Sequence, residues 1–86
     1  VINPAGFVIH SAVHLARPEV HCVIHCHTVA GAGVSAQKEG LLPITQTAML
    51  YYGQVAYHDY EGPAMNLEER ERLEKDLGKK KVMILR

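Results

Sequence analysis

The sequence predicts an α/β fold, and three observations predict it. Stretches with helical apolar periodicity alternate with short, β-rich apolar runs. Glycine and proline fall between those stretches, at Pro4-Ala5-Gly6, Pro18, Gly40 with Pro43, Gly53, Gly62-Pro63 and Gly78. The 86 residues leave room for one core and not two.

In chain order, Phe7 to about Ala16 reads as a helix. Ile9, Val13 and Ala16 form one apolar stripe and Val8, Ala12 and Leu15 an adjacent one, with His10, His14 and Arg17 on the remaining face. Pro18 ends it. Val20 to Cys26 is short, apolar and β-rich, the composition of a buried strand. Thr28 is placed to cap a small-residue helix from about Val29 to Lys38, whose Ala and Gly residues permit close packing on a sheet, and Gly40 terminates it. A short helix over about Gln46–Tyr51 and a strand near Gln54–Tyr57 follow. Leu67–Leu77 is the clearest helix: Asn66 and Glu69 fit a capping box, Glu68/Arg72 and Arg70/Glu74 are i,i+4 pairs, Leu73 and Leu77 face inward, and Gly78 closes it. Lys81–Leu85 is a second buried strand. The order is that of a layered α/β arrangement.

Composition excludes several classes. A hydrophobic fraction of 48% with 21% charge is that of a globular chain and not a disordered one. Nine basic and nine acidic side chains cancel, so no global field draws the protein to nucleic acid or an anionic membrane, and Lys79-Lys80-Lys81 is too short to change that. No apolar run reaches the length of a membrane span. Val1 is not a start methionine and no signal sequence follows it, so the chain reads as part of a larger domain. Cys22 and Cys26, four apart on one predicted strand, do not suit disulfide geometry; they read as reduced core thiols, in keeping with a cytoplasmic setting.

The chemistry concentrates in Val20–Thr28. In an extended segment His21, Val23, His25 and His27 share one side, and Cys22, Ile24 and Cys26 the other. Imidazoles at i and i+2 can converge on one divalent ion, and neutral imidazole suits zinc and other first-row metals. The helix opening at Thr28 adds backbone N–H groups that favour an anionic group, so Thr28 is a candidate anion contact. His-x-His by itself also occurs in chains that bind no metal. His10 and His14 have i,i+4 chelating geometry but no accompanying Glu or Cys, and read as polar-face residues. Tyr57-His58-Asp59-Tyr60 gathers proton-transfer groups after a strand; Tyr57 and His58 are candidates for catalysis, with a hydrogen-bonded loop or an oligomer contact as the alternative.

An ordered string of segments resembles the class II aldolase/adducin family. It comprises Ile2-Asn3-Pro4-Ala5-Gly6-Phe7, Ile9-His10-Ser11-Ala12-Val13-His14, Ala16-Arg17-Pro18 and Val23-Ile24-His25-Cys26-His27-Thr28. Gly40-Leu41-Leu42-Pro43-Ile44, Val55-Ala56-Tyr57-His58-Asp59-Tyr60 and Val82-Met83-Ile84-Leu85-Arg86 complete it. The likeness covers essentially the whole chain and is nearest the adducin head-domain branch with its bacterial relatives. It implies that residues 1–86 are part of a three-layer α/β/α sandwich, with flanking parts missing at both ends.

The resemblance further implies zinc at His25 and His27, near a subunit boundary of a homo-oligomer. There the ion acts as a Lewis acid in reversible aldol cleavage or epimerisation of a small hydroxy-carbonyl or sugar-like substrate. Three departures qualify this. The family's third zinc histidine follows the strand that ends here at Arg86. The position of the aldolases' acid/base glutamate is Gly6, and those of nearby phosphate-holding serines are Pro4 and Ala5. Two functions follow as expectations: a metal-dependent, lyase-like domain, or a non-catalytic adducin-like module for oligomerisation and actin-linked contacts.

Overall fold

The computed structural model describes residues 4–61 and 68–86. Its elements are α1 (Pro4–Ala16), α2 (Val29–Ala36), α3 (Gln46–Met49), β1 (Val55–His58), α4 (Glu69–Leu77) and β2 (Val82–Leu85). The α/β class is as expected. Helix α1 starts three residues before Phe7, because Pro4 is pre-set for a first helical turn that needs no N–H from it.

β1, α4 and β2 form a β–α–β unit. The strands run parallel, with Val55 opposite Val82, Ala56 opposite Met83, Tyr57 opposite Ile84 and His58 opposite Leu85. α4 lies against β1 and α1 lies against α4. The inward stripe of α1 meets that of α4 in two adjoining clusters. Val8, Ala12 and Leu73 form one; Val13, Ala56 and Leu77 form the other; Met83 touches both. Leu15, predicted inward, is 70% exposed; it is Val8, Ala12 and Val13 of α1 that join the clusters with α4. Gly78 closes α4 with φ 54°, as expected of a C-terminal glycine. The Asn66 half of the expected capping box lies outside the described residues, and α4 opens from Glu68 without a side-chain cap.

Two expectations are corrected. Residues 20–28 form no helix or strand and pair with no strand among the described residues, so Val20–Cys26 is not a buried strand. Val20 and Val23, three apart, both rest on the Val13–Ala56–Leu77 cluster, a spacing that a strict two-residue alternation cannot deliver. With no sheet neighbour to cover them, Ile24 is 84% exposed, and Cys22 and Cys26 are exposed thiols rather than core residues. Likewise α2 buries none of its residues and does not pack closely on the sheet.

Alternation along β1 sends Ala56 and His58 towards α4 and Tyr57 to the other face, where its hydroxyl accepts from the Leu41 amide at 2.9 Å. Arg86 lies over the Tyr57 ring, 4.6 Å from its centroid, and donates to the Lys38 carbonyl. Gly40 sits beside that ring with φ 69°, and a Cβ built there would fall on the phenol. Gly53 has a similar φ of 75° but open space around it.

Two outcomes follow. Leu73→Ala, at the centre of the core, lowers unfolding free energy by about 2–5 kcal/mol in urea denaturation. Gly53→Ala costs on the order of 1–2 kcal/mol from backbone strain alone, whereas Gly40→Ala costs clearly more, because it also displaces Tyr57. Equal midpoints for the two glycine variants would remove the role given to the Tyr57 contact.

Candidate functional site

The segment that follows α1 ends in two imidazoles that meet. The His25 and His27 Nε2 atoms are 2.9 Å apart, with the rings edge to face at 80° and centroids 4.7 Å apart. Both residues are exposed. Two nitrogens bound to one tetrahedral zinc at about 2.0–2.1 Å lie roughly 3.3 Å from each other, so the pair needs only a few tenths of an ångström of opening to share an ion. Burial, and then the charges of His27 and His10, hold the His25 pKa below the ordinary histidine value, which favours the neutral ring a metal requires.

The next residue starts α2. Thr28 has extended backbone (φ −75°, ψ 158°), and its hydroxyl accepts from the Gly31 amide at 3.0 Å. Gly31 suits this position, since a Cβ there would stand 2.9 Å from the Thr28 hydroxyl. The Thr28 hydroxyl oxygen therefore serves as a helix cap, and any anion contact at this point falls to its O–H and to neighbouring amides.

His25 also borders a cavity of about 270 Å³ between residues 20–25 and β2. Its apolar wall includes Ile9, Val13 and Met83, its polar rim includes Arg17, Lys80 and Lys81, and no carboxylate lines it among the described residues. Arg17 donates to the Lys80 carbonyl, tying the end of α1 to the approach to β2. At Gly6 an added Cβ would meet nothing within 4 Å.

Tyr57 and His58 do not join this site. Neither borders the cavity at His25, and β1 sends them to opposite faces. Sequence reasoning missed what His58 does. It is 4% exposed and lies between two carboxylates of α4: Nδ1 is 2.7 Å from Asp76 Oδ2, and Nε2 is 2.7 Å from Glu69 Oε2. Glu61 stands 3.3 Å from Nε2 and is gripped through both its oxygens by Arg72, which holds its carboxyl below the usual carboxylate range. Arg72 thus reaches Glu61, a partner eleven residues back that i,i+4 spacing does not suggest. Glu69, expected at a cap, is buried against His58. A signal was present: residues 69, 73 and 76 lie on one helical face, so two acids flank the inward Leu73. Among the described residues, His58, Glu61 and Glu69 are the group of three or more His, Cys, Asp or Glu whose ligand atoms lie within 4.8 Å of one another.

Burial alone would discharge the His58 ring, but hydrogen bonds to Asp76 and Glu69, reinforced by their charges, hold its pKa above the ordinary histidine value. A raised folded-state pKa contributes stability that is present below the unfolded value of about 6.5 and lost as pH rises through the folded value. With a chelator present, the excess stability of the wild type over His58→Gln therefore shrinks on going from about pH 5.5 to about pH 9, read from urea midpoints. A difference that stays constant or grows would contradict the charged bridge.

With this geometry in view, the comparisons with known proteins identify the scaffold. Residues 1–86 match the family described as Class II Aldolase and Adducin N-terminal domain, and the chain belongs to that family. It is 62% identical over 85 residues to a "Putative aldolase class 2 protein" of Caulobacter vibrioides, covering 99% of this chain and 33% of that one. It is 55% identical over 86 residues to Alpha-adducin of Rattus norvegicus, covering 99% of this chain and 12% of that protein. A crystal structure of an aldolase II superfamily protein from Pseudomonas syringae superposes with a TM-score of 0.94 at 61% identity, over 99% of this chain and 34% of that one. The chain thus spans about a third of these bacterial relatives' length and a smaller share of the adducin. Among the described residues, no helix is long and apolar enough to cross a membrane.

Proposed function

We propose that this chain is the metal-binding part of a class II aldolase-type, lyase-like domain acting on a small hydroxy-carbonyl or sugar-like substrate. The observation that carries the reading is the convergence of the His25 and His27 Nε2 atoms, on exposed rings beside the opening turn of α2. A divalent ion held there, zinc foremost, supplies Lewis-acid polarisation of substrate oxygens. The chain's own residues do the rest. His25 and His27 hold the ion as neutral rings. The Thr28 turn offers donors to an anionic substrate group. The cavity beside His25, with Arg17, Lys80 and Lys81 at its rim and an apolar wall, favours a small anionic substrate over a cationic one. The remaining ligand, the acid/base group and the homo-oligomeric contacts lie in the rest of the parent protein, in a cytoplasmic setting that keeps Cys22 and Cys26 reduced.

A second reading is a non-turnover, adducin-like module for oligomerisation and actin-linked contacts. Two observations favour it: the 55% identity to Alpha-adducin, and the lack of any proton-carrying side chain at Gly6. Zinc titration of the full-length protein separates the two. The lyase-like reading expects His25→Ala and His27→Ala each to remove one bound zinc per chain, with affinity at that site falling by at least about tenfold. Zinc stoichiometry and affinity unchanged in both variants would remove it.

A further inference from the structure

We propose that His58, Glu61 and Glu69 form a second divalent-cation site, separate from the His25–His27 pair, that pins strand β1 to helix α4. The inference goes beyond the function proposed above and does not depend on it.

The donor set is one imidazole nitrogen and two carboxylate oxygens, suited to a first-row divalent ion such as zinc or manganese. Donors bound to one ion at about 2.0–2.2 Å stand roughly 3.0–3.5 Å apart. His58 Nε2 and Glu61 Oε2 already stand at 3.3 Å, and the 2.7 Å between Nε2 and Glu69 Oε2 has only to open slightly. Asp76 supplies the outer partner that metal-bound histidines characteristically have. By taking the Nδ1–H at 2.7 Å it fixes the ring so that Nε2 faces the other two donors.

Charge and access agree with this. Once the ring gives up its Nε2 proton to become a metal ligand, Glu61, Glu69 and Asp76 against Arg72 leave two negative charges, which one divalent ion balances in place of that proton. Glu69 is 5% exposed, and a carboxylate that deeply buried needs a cation or a proton at its oxygens. An opening of about 340 Å³, bordered by Tyr57, His58, Glu61, Arg72 and Asp76, leads from solvent to the ring. Asp59 and Lys75, also at its edge, offset one another. The ion would join a β1 residue to the first turn of α4, so its expected role is to stabilise the β–α–β unit.

The test uses the full-length protein carrying His25→Ala and His27→Ala, which silences the first pair. Zinc is followed by calorimetric titration and by thermal melting. The proposal expects this variant to retain about one zinc per chain and to melt at higher temperature with zinc than with chelator. Adding Asp76→Asn weakens binding by roughly tenfold to a hundredfold, and adding Glu69→Gln abolishes both binding and the thermal shift. Glu61→Gln, on the solvent side of the cluster, weakens binding while leaving the far-ultraviolet spectrum unchanged, which guards against misreading a folding defect. No zinc bound by the double histidine variant, or equal affinity after Glu69→Gln and Glu61→Gln, overturns the proposal and leaves a proton as the bridge between ring and carboxylate.

Discussion

The packing of α1 on α4 over the two-stranded sheet is the constraint on which the rest of the molecule depends. Val8 and Ala12 meet Leu73, Val13 meets Ala56 and Leu77, and Met83 closes both groups from β2. Among the described residues few apolar side chains are fully buried, so each carries a large part of the stability of the unit. Both polar sites hang from this core. Val20 and Val23 rest on it and let the chain run out to His25 and His27. The alternation of β1 that buries Ala56 also buries His58 and brings it to α4.

The two sites differ in the way their surroundings prepare them. His25 and His27 are exposed and held locally, two residues apart, with their own helix turn beside them. Their geometry comes from a short stretch of chain and needs little tertiary support. His58 is the opposite case. Standing at the end of β1, it takes its partners from the loop after that strand and from two turns of α4, and both ring nitrogens are hydrogen-bonded. Such a cluster rigidifies the contact between a strand and a helix when all its members are paired.

Much of the fold was legible in the sequence for particular reasons. Pro18 and Gly78 mark ends that the structure keeps, whereas α2 stops at Ala36 with Gln37 as its cap, short of the expected Lys38 and Gly40; the stripes of α1 and α4 named most of the core. The parallel pair Val55–His58 and Val82–Leu85 fell within a residue of the expected strands. The likeness to class II aldolases and adducins, carried by Val23–Thr28 and Tyr57–Tyr60 among other segments, agrees with the family match over residues 1–86. What failed to show has a common cause. Val20–Cys26 has strand composition, but a strand exists only with a neighbour to receive its hydrogen bonds, and none is present among the described residues. Glu69 and Asp76 read as cap and solvated face because helix spacing shows which residues share a side, but not that a buried histidine lies opposite.

The central claim, that His25 and His27 share one divalent ion, is tested most directly by anomalous diffraction from zinc-loaded crystals of the full-length protein. The account predicts a zinc peak within about 2.0–2.1 Å of both Nε2 atoms. Zinc bound elsewhere with none between those two rings, or rings turned away from each other in the loaded crystal, would contradict it.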